Sequence, residues 1–126
     1  MPRFVILTHD HPFLHWDLMF EADGALQTWR LLDEPEPDVP LRAEALPDHR
    51  IAYLDYEGPV SRGRGEVRRW DAGTFDEAEP QGVCRALNVC GTRLRGVAVL
   101  EQRPEGLCWT FRSEGTQRAA TTDRTT

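Results

Sequence analysis

The sequence predicts an all-β protein, a barrel or a sandwich, and three observations carry that prediction. Apolar residues recur in many short runs, of about four to eight residues, that suit strands. Turn signals separate the runs, among them Asp23-Gly24, Asp71-Ala72-Gly73, Cys90-Gly91 and Pro104-Glu105-Gly106. Helical periodicity is almost absent, which leaves a layered or closed sheet as the way to bury a core.

Taken in order, Phe4-Val5-Ile6-Leu7 reads as a first strand and Leu14 to Glu21 as a second. Along the second, His15, Asp17, Met19 and Glu21 share one face while Trp16, Leu18 and Phe20 share the other. Asp23-Gly24 suits the positive φ angles of a two-residue type I′ turn, and Ala25 to Leu32 completes a meander. Asp33 to Pro40 holds three prolines and four acids, so it reads as a loop. Leu41 to Leu46 suits either a short helix or a strand. His49 to Asp55 reads as a strand with Ile51, Tyr53 and Asp55 on one face. Gly58 to Gly65 is a glycine- and arginine-rich turn before a strand from Gly65 to Trp70. Asp71-Ala72-Gly73 is read as a turn and Phe75 to Gly82 as an acidic loop. Val83 to Val89, Arg93 to Gln102 and Leu107 to Arg112 are the last strands. The final stretch is rich in Thr, Arg, Gly and Gln with no apolar face, so the expected division is a domain over 1–113 and a disordered tail over 114–126.

With 126 residues, 40% of them hydrophobic, and four tryptophans, the chain suits one folded domain with a modest core. No apolar run approaches the roughly 20 residues of a membrane span, so no membrane partner is expected. Met1-Pro2-Arg3 leading straight into a strand is unlike a signal peptide. Cys84, Cys90 and Cys108 lack metal-ligand spacing and are read as free thiols in a reducing cytoplasm; zinc at Cys84 and Cys90 is a minor alternative. A net charge of −6 argues against gripping nucleic acid by bulk electrostatics. All 15 basic residues are arginine, and a GC-rich genome accounts for most of that bias. Arginine forks nevertheless match phosphate geometry. Arg62, Arg64, Arg68 and Arg69 cluster beside glycines, as do Arg93 and Arg95, which leaves open a local basic groove on an acidic protein.

Chemistry concentrates in His9-Asp10-His11-Pro12-Phe13-Leu14-His15-Trp16-Asp17, which carries three of the chain's four histidines. His15 and Asp17 share a strand face. If the turn at Pro12 folds the first strand back on the second, His9 joins them, and two neutral imidazoles with one carboxylate suit a divalent ion such as Mn, Fe or Zn. The blander alternative is a solvated hairpin, and His11, in the turn, is expected to face water. A second cluster runs from Asp48 to Gly58. His49 and Tyr53, four apart, would share a strand face and could stabilise charge developing on a phosphate; the alternative is a half-buried tyrosine and an unengaged histidine.

Over residues 3–113 these pieces resemble the 3′-phosphoesterase domain of bacterial DNA ligase D. The resemblance rests on His9-Asp10, His15-x-Asp17, Phe20-Glu21-Ala22-Asp23-Gly24, Trp29, Asp48-His49 through Tyr53, Asp55, Tyr56, Glu57 and Gly58, Gly65-Glu66-Val67, Trp70-Asp71-Ala72-Gly73-Thr74, Leu94-Arg95-Gly96 and Trp109. It implies a small closed or nearly closed β-barrel with little helix. It implies a divalent metal, Mn ahead of Zn or Co, held by His9, His15 and Asp17, with His49 and Tyr53 as catalytic phosphate-contacting groups. Arg42, Arg62 and Arg64 are the expected substrate-binding arginines. The implied activity is removal of a 3′-ribonucleotide and then a 3′-phosphate from DNA or RNA/DNA 3′ ends, in concert with separately encoded ligase and polymerase end-joining proteins. The sequence departs from the family pattern at Met19, where the family has an arginine, at Leu7, where it has a glutamine, and at Asp33, where it has a lysine. It also begins without the N-terminal extension on which the family's phosphodiester cleavage depends. Phosphomonoester removal is therefore the favoured activity, and a catalytically reduced metal- and nucleic-acid-binding accessory module is the alternative. The pattern His15-x-Asp17 with His49 also mimics the facial triad of non-heme iron oxygenases, without evident cosubstrate residues.

Overall fold

A computed structural model describes residues 1–78, 82 and 84–114. Eight antiparallel strands close into a barrel, in the order β1 (Arg3–His9), β2 (His15–Ala22), β3 (Ala25–Leu31), β4 (Leu41–Arg50), β9 (Gly106–Ser113), β8 (Arg95–Arg103), β7 (Cys84–Gly91) and β6 (Glu66–Glu77), with β6 returning to β1. A two-residue strand β5 (Gly58–Pro59) adds to β6 outside the ring. Of the barrel and sandwich left open by the patterning, the barrel is found, as the resemblance implies, and it is closed. The seam between β4 and β9 is the short one, paired only at Leu41–Trp109 and Arg42–Cys108.

The alternation along β1 and β2 sorts two apolar clusters onto opposite faces of one wall. Phe4, Ile6, Leu18 and Phe20 point into the barrel with Leu31, Leu87, Leu100, Trp109 and Phe111. Val5, Leu7 and Met19 point outward and pack with Leu26 and Val67. That outer cluster is covered by the excursion between β4 and β6, whose single 3₁₀ turn, Ile51–Leu54, buries Leu54 against it. Arg3 fastens the excursion from below, with Nη2 2.7 Å from the Asp55 carboxylate. The hydrogen bond from Arg3 holds the Asp55 carboxyl below its usual range.

Four expected elements differ. His49 to Asp55 is not a strand: β4 ends at Arg50 and the 3₁₀ turn follows, because the outer cluster gains Leu54 only if the chain turns back over the sheet. Asp71-Ala72-Gly73 is not a turn but the middle of β6. Asp71 points inward and its carboxylate accepts the backbone N–H groups of Ala72, Thr92, Arg93 and Leu94 at 2.8–3.0 Å, stapling the β7–β8 turn. Gly73 sits mid-strand because a Cβ there would lie 2.0 Å from the Cys90 carbonyl oxygen. The β7–β8 turn accordingly falls after Gly91 and not at Cys90-Gly91. The acidic loop expected from Phe75 is strand as far as Glu77, and its residues 79–81 lie outside the described ones, as does most of the expected tail. Leu41 to Leu46, open in sequence, is strand.

The Arg85 side chain clamps one corner of the barrel. It donates to Glu77 at 2.8 and 2.9 Å and to Gln27 at 3.1 Å, and lies 5.3 Å over the Trp29 ring. The hydrogen bond from Arg85 lowers the Glu77 carboxyl from its ordinary value. Arg85→Ala is expected to cost about 1–2 kcal/mol in urea unfolding at neutral pH, the sum of a half-exposed ion pair and a cation–π contact. Because the Glu77 pKa is depressed in the fold, the ion-pair share is present above the unfolded carboxylate pKa and fades as pH falls through the folded value. The gap between wild type and variant should therefore narrow in acid.

Candidate metal centre

The antiparallel register of β1 and β2 sets His9 opposite His15 and Leu7 opposite Asp17. Both histidines and Asp17 fall on the outward face that carries Val5, Leu7 and Met19. One ligand atom from each of His9, His15 and Asp17 lies within 4.8 Å of the others. Asp17 Oδ2 is 3.3 Å from His15 Nε2 and 3.7 Å from His9 Nδ1. Atoms bonded to a shared ion at about 2.0–2.2 Å lie roughly 3–3.5 Å from each other, so small adjustments seat an ion.

The surroundings settle which nitrogens face inward. His15 Nδ1 lies 2.9 Å from the Phe13 carbonyl and His9 Nε2 lies 2.8 Å from the Arg64 carbonyl. A carbonyl only accepts, so these nitrogens carry hydrogens, and His15 Nε2 and His9 Nδ1 are the nitrogens turned towards the carboxylate, His15 Nε2 within hydrogen-bond distance of Asp17 Oδ2 at 3.3 Å. Fixing the outer N–H of a ligating imidazole on a carbonyl is the usual support of a metal site. Asp17 Oδ1 is buried without a hydrogen-bond partner, and a buried charged oxygen left so is costly. A cation held between Asp17 and the two inward nitrogens would satisfy that oxygen, and the residues fit a divalent metal. His15 is fully buried and Asp17 nearly so, whereas His9 is 17% exposed, so an ion is approached from the His9 side.

That approach is a cavity of about 90 Å³ lined by His9, Asp17, Met19, His49, Tyr53 and Arg64, with Val60 and Val67. The structure thus brings His49, Tyr53 and Arg64 to the same place as the triad. His49 and Tyr53 arrive by a different route from the shared strand face expected. In β4 the register shifts so that Leu26 opposes His49 while Thr28 opposes Leu46, two residues fitting where one stands on β3. This bulge turns His49 outward, and the 3₁₀ turn then folds Tyr53 back until the two rings are 5.9 Å apart. His49 Nδ1 lies 2.9 Å from the Pro47 carbonyl, which leaves Nε2 for a ligand. The Tyr53 hydroxyl makes no hydrogen bond among the described residues.

Arg42 and Arg62 stand elsewhere. Arg42 lines a separate groove with Phe13, Arg30 and Leu32, and Arg62 is exposed at the tip of the excursion. His11 is exposed, as expected. Sequence reasoning missed the main-chain supports of the triad. Asp10 Oδ1 accepts the Glu66 N–H at 2.8 Å, and Gly65 is needed beside it, since a Cβ there would lie 2.2 Å from that oxygen. The pairing of Asp10 with Gly65-Glu66 carries no local signal, because it joins residues more than fifty positions apart. The three cysteines are unpaired.

Comparison with known proteins agrees with this geometry. The family described as DNA Ligase D 3'-phosphoesterase domain matches residues 7–102. The multifunctional non-homologous end joining protein LigD of Pseudomonas aeruginosa is 35% identical over 78 residues, 58% of this chain and 9% of that protein. The corresponding protein of Mycolicibacterium smegmatis is 34% identical over 79 residues, 59% of this chain and 10% of that protein. That of Mycobacterium tuberculosis, a multifunctional non-homologous end joining DNA repair protein, is 32% identical over 78 residues, 58% of this chain and 10% of that protein. The matched region thus spans about a tenth of these relatives' length.

Proposed function

The chain belongs to the DNA Ligase D 3'-phosphoesterase domain family, and from that premise we propose that it is a divalent-metal-dependent phosphoesterase acting on DNA 3′ ends. The supporting observation is the convergence of one ligand atom each from His9, His15 and Asp17, all within 4.8 Å of one another, with the buried Asp17 Oδ1 lacking a hydrogen-bond partner. The activity is removal of a 3′-phosphate from DNA or RNA/DNA ends in preference to cleavage of a 3′-ribonucleotide. The metal is Mn, with Zn or Co also suited to two nitrogens and an oxygen.

His9, His15 and Asp17 would hold such an ion, which would supply Lewis-acid polarisation of a phosphoryl oxygen and acidify water near neutral pH. The chain's own groups do the rest. His49 and Tyr53 line the cavity and are the catalytic contacts to the phosphate, through Nε2 and the hydroxyl. Arg64, the only arginine lining the cavity among the described residues, supplies the positive charge that Met19 cannot. Its guanidinium is held by the Ser61 carbonyl at 2.9 Å and the Ser61 hydroxyl at 3.1 Å, while its own carbonyl holds His9. Arg62 at the loop tip and Arg42 in the groove beside Phe13 contact phosphates of the flanking nucleic acid. The protein acts in the cytoplasm, where unpaired thiols persist, with ligase and polymerase end-joining proteins as partners.

Incubating Mn-loaded protein with primer-templates ending in a 3′-phosphate or a 3′-ribonucleotide tests the reading. Release of phosphate to leave a 3′-hydroxyl supports it. DNA binding without turnover of either substrate overturns it in favour of an accessory module, the reading favoured by the burial of Met19 in the apolar outer cluster. Arg64→Ala keeps the carbonyl that holds His9, so Mn affinity should stay near wild type while turnover falls about a hundredfold, as on removing one charge-stabilising donor. Isothermal titration with Mn and single-turnover kinetics separate the two effects.

A further inference from the structure

The metal-centre cavity, about 90 Å³, falls well short of the roughly 300–1,000 Å³ of pockets that enclose small molecules. It takes a phosphate-sized group and little more. What the phosphate is attached to has to lie outside it, and a second pocket of about 270 Å³ opens directly beside it, sharing Tyr53 and Val60 as a common wall. Arg50, Ala52, Tyr56, Pro59 and Ser61 complete this second pocket. The Tyr53 and Tyr56 rings meet edge to face, 5.9 Å between centroids, so one forms a wall and the other a floor. Tyr56 is 38% exposed, and its hydroxyl donates to the Pro59 carbonyl, which holds the ring in place. The Arg50 side chain has no partner among the described residues. Ser61 holds the Arg64 guanidinium on the border between the two cavities.

We propose that this tyrosine-walled pocket is a nucleoside subsite that receives the sugar and base carrying the reacting 3′-phosphate. An aromatic wall stacks any base face, and an unpaired guanidinium at the rim adds a stacking plane or a contact to base oxygens. The subsite rests on the phosphoesterase reading for the position of the phosphate, but it can be tested without turnover.

The probe is a fluorescein-labelled oligonucleotide ending in a 3′-phosphate, compared with one whose terminal nucleoside is abasic, by anisotropy in the presence of Mn. Wild type should prefer the base-bearing end about tenfold, the low end of one base–aromatic stack. Tyr56→Ala should reduce that preference to within about twofold, and Arg50→Ala, which breaks no side-chain hydrogen bond or ion pair among the described residues, should weaken it. Both variants should keep the wild-type Mn affinity, which shows that the neighbouring site is intact. Equal binding of the two oligonucleotides by wild type, or an undiminished preference in Tyr56→Ala and Arg50→Ala, overturns the subsite. A base preference without hydrolysis of either oligonucleotide sinks the phosphoesterase reading and leaves the subsite standing; hydrolysis without base preference does the reverse.

Discussion

Asp17→Asn should make the metal-free protein more stable and abolish its response to Mn. In the metal-free state the Asp17 carboxylate is buried, with Oδ1 unpartnered and Oδ2 3.3 Å from His15 Nε2 and 3.7 Å from His9 Nδ1. Asparagine removes the charge and brings an amide N–H₂ that donates to those nitrogens, a gain of about 1 kcal/mol. With Mn the order inverts. At a hundredfold excess over Kd a ligand adds about 2.7 kcal/mol to the state that binds it, roughly 10 °C in Tm for a domain of this size. Only wild type should show that rise. Supporting groups around a metal are worth about 10–100-fold in affinity, so loss of a direct ligand should cost at least a hundredfold, with phosphatase turnover down by about three orders of magnitude. Melting curves in chelator and in Mn give the four values needed. A variant less stable than wild type in chelator, or one that Mn stabilises as much, would show that Asp17 is structural and would remove the centre of the proposed chemistry.

Asp71→Ala should destabilise the fold more than Arg85→Ala or any change at the metal centre. Four backbone N–H groups converge on that one carboxylate. Leu94 is buried, whereas Thr92 and Arg93 are exposed and can recover water. Hydrogen bonds to a charged group are worth about 1.5–3 kcal/mol, so a total near 4 kcal/mol, or roughly 15 °C in Tm, is expected. Asp71→Asn keeps one acceptor oxygen and should lose about half as much. Urea midpoints of the two variants check the ordering; an alanine variant within about 1 kcal/mol of wild type (a bound set well below the expected loss) contradicts the staple.

The contrast between these two aspartates shows what is legible in the sequence. Asp17 lies two residues from His15 on a regular strand, where side-chain direction follows a period of two, so spacing alone reveals the shared face. Asp71 sits in Asp-Ala-Gly, a composition typical of turns, and its real partners are the backbone of residues 92–94, which carry no side-chain signal. The strands of the meander are legible for the same reason as Asp17, and β6 reads as strand and loop for the same reason as Asp71. His49 and Tyr53 fall between. Their residue types point to phosphate chemistry, but the strand face expected to unite them does not exist. They are joined instead by a bulge at Pro47-Asp48 and a 3₁₀ turn, both irregularities that a period of two cannot register. The fixing of His9 by the Arg64 main chain leaves no trace in the sequence, since any residue offers that carbonyl.

The wall formed by β1 and β2 carries packing on one side and ligands on the other, and this has a consequence for how the protein can change. Inward residues such as Ile6, Leu18 and Phe20 answer only to the barrel, while Leu7 and Met19 answer to the cover laid over the outside. A lineage can therefore rewrite its outer surface one alternate position at a time, trading polar reagents for grease, while the barrel beneath goes on folding as before.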